Sequence, residues 1–175
     1  MASYPVAVRP EAREDYPAVH DLIRRAFGRE GEARLVEALR KSPGFIPDLS
    51  LVAETDGRVV GHILFSPVRT IGGDMVLALA PVAVEPSLQR QGIGSALVLQ
   101  GLAACRRLGY GVVIVVGHPG YYPRFGFVPA REKGFAAPFP VPDEAFMMLE
   151  LRPGAAETVG GLVLYPPVFE LCDEN

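Results

Sequence analysis

The stretch Gln89-Arg90-Gln91-Gly92-Ile93-Gly94 brings one full positive charge and two glycines to the start of an amphipathic helical pattern. Glycines without a Cβ let the main chain turn sharply and let a ligand approach the backbone closely. A helix that begins there aims unpaired N–H groups and a partial positive charge outward, which suits an anion, most often phosphate. The chemistry on offer is the binding of a pyrophosphate, with Arg90 beside it.

Other glycine-rich patterns fit less well. A Walker-type loop closes on Lys-Ser or Lys-Thr, whereas Gly94 is followed by Ser95-Ala96. The dinucleotide fingerprint requires a third small residue and a later acid for the ribose. Leu97 stands at the third position, and Arg106 and Arg107 follow without an acid. A structural turn between strand and helix remains open on the two glycines alone.

The elements that must position this loop are legible on either side. Leu77 to Val84 is an apolar strand-like run, and Ser95 to Leu108 reads as helix, with Gly109 at the terminator position. Val112 to Val116 is β-branched and apolar throughout, as in a strand buried on both faces. Strand, helix, strand in that order predicts a right-handed crossover between parallel strands. Before it, Val6 to Val8 predicts a first strand. Glu11 to Phe27 predicts a helix, with Tyr16, Val19, Leu22, Ile23 and Phe27 at helical spacing. A second helix carries Leu35, Val36 and Leu39 and stops at Ser42-Pro43-Gly44. Leu51 to Glu54, Val59 to Thr70 and Met75 to Val84 predict an antiparallel meander, its first turn at Asp56-Gly57. After the crossover come a loop at Gly117-His118-Pro119-Gly120, one helical turn over Tyr121 to Phe125, and a strand entered at Phe127-Val128. An ordered irregular loop over 131–143 and two closing strands, Ala145 to Leu151 and Leu162 to Tyr165, complete the chain.

Composition narrows the class. The 175 residues, 49% of them hydrophobic, fit one globular domain spanning 1–175. A formal charge of −3 with no basic run gives no electrostatic footprint for nucleic acid. No apolar stretch reaches membrane-span length, and Met1 to Arg9 does not form a signal peptide, so a cytoplasmic location is expected. Cys105 and Cys172 lack metal-ligand spacing; no metal is expected, and Cys105 should be a buried thiol.

Val82-Ala83-Val84-Glu85-Pro86-Ser87-Leu88-Gln89-Arg90-Gln91-Gly92-Ile93-Gly94-Ser95-Ala96-Leu97 resembles the acyl-coenzyme-A signature of the GNAT superfamily of N-acetyltransferases. A second piece, Tyr121-Tyr122-Pro123-Arg124-Phe125-Gly126-Phe127, lies at the distance that family expects. The likeness is nearest to the small bacterial YhbS-like subgroup and covers most of the chain. It implies an α/β (α+β) fold: a central mixed, mostly antiparallel sheet of about six or seven strands with a parallel splayed pair, flanked by helices. It implies acetyl-CoA as co-substrate. The main chains of Val82 and Val84 would meet the pantetheine arm, with Ala83 between them. Gln89, Arg90, Gln91, Gly92, Ile93, Gly94 and Ser95 would surround the pyrophosphate, with Gly117 and Tyr122 lining the site further on.

The resemblance also makes Tyr122 the general acid that donates to the departing sulfur. The base is less legible, because Leu77 to Val84 holds no acid. Glu30 and Glu32 lie in the inter-helix region that forms the acceptor wall in relatives. Glu32 and His118 are candidates, with His62 nearby on a central strand; a water-relayed base is the alternative. The expected reaction is direct attack of a primary amine on the thioester in a ternary complex. A non-catalytic acyl-CoA-sensing module on the same fold is the second reading, and a pure interaction scaffold the third. The acceptor is an unidentified amine, of a small molecule or a protein, and the chain is expected to be a monomer or homodimer.

Overall fold

A computed structural model describes residues 4–173. The chain divides into two compact units: one holds the residues up to Ser66, Ala80–Ala104 and those from Pro167 on, the other Pro67–Leu79 and Cys105–Pro166. Nine strands among the described residues form a mixed, mostly antiparallel sheet in which β3 (Arg58–Thr70) and β4 (Met75–Val84) each contribute to both units.

In the first unit the order is β1 (Ala7–Pro10), β2 (Ser50–Thr55), β3, β4. The β2–β3 turn has Asp56 and Gly57 both left-handed (φ 50° and 73°), the twist that a two-residue hairpin needs. Helices α1 (Tyr16–Phe27) and α2 (Gly31–Arg40) bury Val19, Leu22, Ile23, Leu35, Val36 and Leu39 against Val52, Leu64 and Ala83. α3 (Ile93–Arg107) packs near Gly61 and Phe65, which alternate along β3 with Leu64 and so face the other side. A Cβ on Gly61 would lie 2.8 Å from Leu97, and one on Gly101 2.4 Å from the Phe65 ring. Glycine at these two positions lets helix and strand approach. Pro167–Asp173 forms a 3-10 run whose Val168, Phe169, Leu171 and Cys172 pack on the α1–α2 core. Its approach to α2 is so close that a Cβ on Gly31 would sit 2.5 Å from the Leu171 carbonyl oxygen.

In the second unit β4 pairs in parallel with β5 (Val112–Val116), Leu77 opposite Val113 and Ala78 opposite Ile114. β8 (Phe146–Glu150) runs antiparallel to β5 along its whole length and carries the short β6 (Val128–Pro129) on its far side. β9 (Gly161–Leu164) pairs antiparallel with the end of β3 and parallel with β7 (Phe135–Ala136).

Two expectations need correction. α1 does not start at Glu11: a 3-10 turn over Arg13–Asp15 precedes it, and the helix begins at Tyr16. The cause is electrostatic, since Asp15 takes bonds from the Arg9 guanidinium and the Ala12 N–H at 2.7 Å, fixing a turn there. The segment 131–143 is not irregular throughout, because it contains β7 and part of a 3-10 turn over Ala130–Lys133.

Candidate functional site

The glycine turn lies in the first unit. Arg90 has φ 63° and Gly92 φ 89°, so two residues two apart are left-handed. For arginine that conformation is uncommon and is held here by its surroundings. The Gln91 carbonyl between them accepts the Tyr4 N–H at 2.7 Å, which ties the incoming chain to the turn. The ladder of α3 opens with the Ala96 N–H on the Gly92 carbonyl at 3.0 Å, so the amides of Ile93 and Gly94 precede it at the positive end of a 15-residue helix. Arg90 and Gln91 are exposed, Gly92, Gly94 and Ser95 half-buried. Ile93 is buried beneath α3 beside Gly61, so its side chain anchors the turn and only its main chain is available. These features fit a diphosphate: exposed cation, helix start, and a backbone turn that a side chain at position 92 would strain.

The strand leading in has a matching property. The β4–β5 ladder ends at Ala78, while β4 runs on to Val84. Val82 and Val84 are half-buried, and Ala83 turns its side chain into the helical core. The Val84 carbonyl is not bare, since the Gln89 side-chain amide donates to it at 3.3 Å. Gln89 therefore fastens the loop back on the strand, a role its sequence position did not disclose. The Glu85 carboxylate accepts Arg25 of α1 at 2.7 Å, and the Glu85 N–H bonds the Val60 carbonyl.

The carboxyl end of β5, in the second unit, positions the aromatic pair. Gly117 donates its N–H to the Ala145 carbonyl, and His118 offers its carbonyl to the Tyr121 N–H at 3.0 Å. A 3-10 turn over Tyr122–Phe125 follows and stops at the left-handed Gly126 (φ 98°). The Tyr122 ring lies on the strand end, its Cε2 2.4 Å from where a Gly117 Cβ would be. Tyr121 and Phe127 hold it edge-on at centroid distances of 5.1 and 5.6 Å. Burial, with a smaller push from Tyr121, raises the Tyr122 phenol to about 12. It therefore stays protonated, a hydrogen-bond donor, throughout the neutral range. The His118 side chain is exposed.

Glu32 lies in the first unit, near the start of α2. It is buried, with Arg29 Nε 2.9 and 3.0 Å from its two oxygens and Nη2 also bonded. Both its oxygens are engaged by charge-assisted hydrogen bonds from Arg29. Glu30 accepts Arg24 at 3.3 Å, and His20 lies between Glu30 and Glu37. The thiols are poor nucleophiles near neutrality: burial pushes Cys105 up to about 12 and Cys172, beside Glu32 and Asp173, up to about 11.

One polar cluster escaped sequence reasoning. The Glu11 side chain is buried and takes Arg40 Nε at 2.9 Å and Nη2 at 2.8 Å, while the Arg40 guanidinium lies 3.8 Å over the Tyr16 ring. Ser50 Oγ donates to Glu11 at 2.7 Å and lies 3.0 Å from His62 Nε2. Ser50 has one hydroxyl proton and gives it to the carboxylate, so His62 Nε2 is the donor and Nδ1 the bare nitrogen. That Nδ1 is buried without a hydrogen-bond partner among the described residues. Burial drives His62 down to about 4, with Glu11 opposing and Arg40 adding to the fall. His62 is thus a neutral core residue.

A mixed, mostly antiparallel sheet with the parallel pair β4–β5, and a glycine turn opening the helix that lies between those strands in the chain, match the acetyltransferase fold. Residues 16–127 match the Acetyltransferase (GNAT) family. The chain belongs to that family. It is 38% identical over 164 residues to YhbS of Escherichia coli (strain K12), an uncharacterized N-acetyltransferase, covering 93% of this chain and 97% of the relative. The crystal structure of Escherichia coli YhbS in complex with CoA superposes with a TM-score of 0.88 at 35% identity, over 97% of this chain and 96% of that one. A GNAT family acetyltransferase from Brucella melitensis in complex with acetyl-CoA gives 0.78 at 33% identity, over 94% and 98%. No helix among the described residues is long and apolar enough to cross a membrane.

Proposed function

We propose that residues 1–175 act as one N-acetyltransferase domain that moves the acetyl group of acetyl-CoA to a primary amine by direct attack. The observation that carries this is the paired left-handed Arg90 and Gly92 at the start of α3, in a chain similar throughout to a relative holding CoA. Arg90, Gln91, Gly92, Gly94 and Ser95 would take the pyrophosphate, and the main chains of Val82 and Val84 the pantetheine arm. In the reaction the amine nitrogen forms a bond to the thioester carbonyl carbon and the carbon–sulfur bond breaks. The amine loses a proton and the departing sulfur gains one.

Tyr122 supplies the second transfer. Its phenol, protonated at every physiological pH, donates a hydrogen bond to the sulfur as negative charge collects there. For the first transfer Glu32 is engaged by Arg29 and His118 is exposed, which favours a water-relayed base over either. The high thiol pKa values of Cys105 and Cys172 support direct attack rather than an acetyl-cysteine. The test is thiol release from acetyl-CoA across an amine panel. Release with at least one amine class is expected; saturable acetyl-CoA binding with no release from any would support the sensing module instead.

A further inference from the structure

The glycine turn is pinned by a segment that the proposed chemistry does not use. Tyr4, ahead of β1, donates its main-chain N–H to the Gln91 carbonyl at 2.7 Å. The segment is itself fixed from the other side, because β1 is laddered to β2 from Ala7 opposite Glu54 onward, and Arg9 bonds Glu54 at 2.7 Å. Gln91 lies between the left-handed Arg90 and Gly92, so the sign of φ alternates along the turn. Successive N–H groups on such an alternation line a concavity for an anion. Tyr4, Gln91 and the start of α3 all belong to the first unit.

The bond decides which way the peptide between Gln91 and Gly92 faces. That peptide is trans, and a planar trans unit points its N–H away from its carbonyl. With the carbonyl held by Tyr4, the Gly92 N–H is turned to the side away from the N-terminal segment. The Gly92 carbonyl accepts the first bond of α3, from Ala96, which makes Gly92 the N-cap. Glycine has no side-chain oxygen to occupy the amides of the first turn, so they are left to a ligand. Rotating the peptide by half a turn would aim the Gln91 carbonyl dipole where the Gly92 N–H stood, and a diphosphate would be repelled. Glycine accepts either sign of φ, so residue 92 offers little resistance to that rotation. The Tyr4 bond does resist it. A turn that spends only part of its time in the binding orientation loses affinity by that fraction.

We propose that the Tyr4 main-chain N–H is a positioning group for the cofactor: by holding the Gln91 carbonyl aside, it presets the Gly92 amide for the diphosphate of acetyl-CoA. This rests on the N-acetyltransferase reading, and its test separates the two. Acetyl-CoA is titrated calorimetrically into the full chain as wild type, as Tyr4→Pro, which lacks the N–H, and as Tyr4→Ala, which returns it without the ring. Tyr4→Pro should bind about three- to ten-fold more weakly, the range set by one hydrogen bond. Tyr4→Ala should recover the affinity to within about two-fold of wild type. In steady-state thiol release Tyr4→Pro should raise KM for acetyl-CoA by the same factor and leave kcat within about two-fold. With S-acetylpantetheine, a donor that has no diphosphate, kcat/KM should be equal in all three. A further measurement needs no substitution: linkage is reciprocal, so saturating inorganic pyrophosphate should slow hydrogen exchange of the wild-type Tyr4 amide by about three-fold or more. Equal acetyl-CoA affinity in wild type and Tyr4→Pro, an equal loss in Tyr4→Ala, a loss with S-acetylpantetheine, or an unchanged Tyr4 exchange rate would overturn the proposal. Those outcomes leave the acetyltransferase reading standing, whereas a wild type that binds no acetyl-CoA would overturn both.

Discussion

Tyr122 owes its position to a residue with no side chain. Only glycine at 117 leaves room for the ring on the end of β5, so the phenol's placement and its burial have one cause. Tyr122→Phe should lower kcat about 100-fold, the lower end of what a positioned proton donor contributes, with acetyl-CoA affinity unchanged. Gly117→Ala should lower kcat through the same ring, by displacing it; equal rates for both variants and wild type would remove the acid role. His62 makes a second residue-scale prediction. Its folded pKa of about 4 lies below the ordinary 6.5, so the unfolded chain binds the proton first. Stability is therefore complete above about pH 6.5 and falls as the pH drops toward 4, by about 3 kcal/mol for a shift of this size. Glu11 adds to the loss at lower pH: burial raises its pKa, but Arg40, His62 and Ser50 together hold it below the usual carboxylate value. Urea midpoints for His62→Asn should be lower at pH 7 yet change much less between pH 6.5 and 4; an unchanged slope would contradict the assignment.

At the scale of elements, local sequence was informative wherever one physical rule acted alone. The Asp56-Gly57 hairpin, the β5 run of Val and Ile, and the α3 start at the glycine turn all follow from short-range sterics or burial on both faces. The Glu11 segment shows where this fails. Glu11 has the helical spacing and acidic character of a helix start, yet it belongs to a buried pair with Arg40, 29 residues away. No window of local sequence contains both partners. The same reason hid β7, a two-residue strand defined only by its partner β9, and the packing of Pro167–Asp173 on α2. The helix–strand contact at Gly101 gives a direct test. Gly101→Ala improves helix propensity but drives a methyl into the Phe65 ring, so it should destabilise by about 1–3 kcal/mol, seen as a lower urea midpoint. A gain in stability would show that α3 can shift away from β3 at no cost.

For the molecule as a whole, the glycine signature and its spacing to the Tyr121–Phe127 stretch were enough to suggest the family and the sheet that carries it. What they did not disclose is how β3 and β4 are shared between two compact units, because each runs on as one strand through the change, beside a single proline, Pro67 or Pro81, that does not end it. Nor did they reveal that Glu32 is consumed by Arg29, since a carboxylate's availability depends on its neighbours in space. The central claim remains that main-chain amides and Arg90 at the start of α3 grip a diphosphate. Calorimetric titration of acetyl-CoA into the wild type, Arg90→Glu and Gly92→Glu tests it most directly. The account predicts saturable one-to-one binding for the wild type and at least ten-fold weaker binding for both variants, with their folded state intact by circular dichroism. Absence of heat in the wild type, or equal affinity in all three, would contradict it.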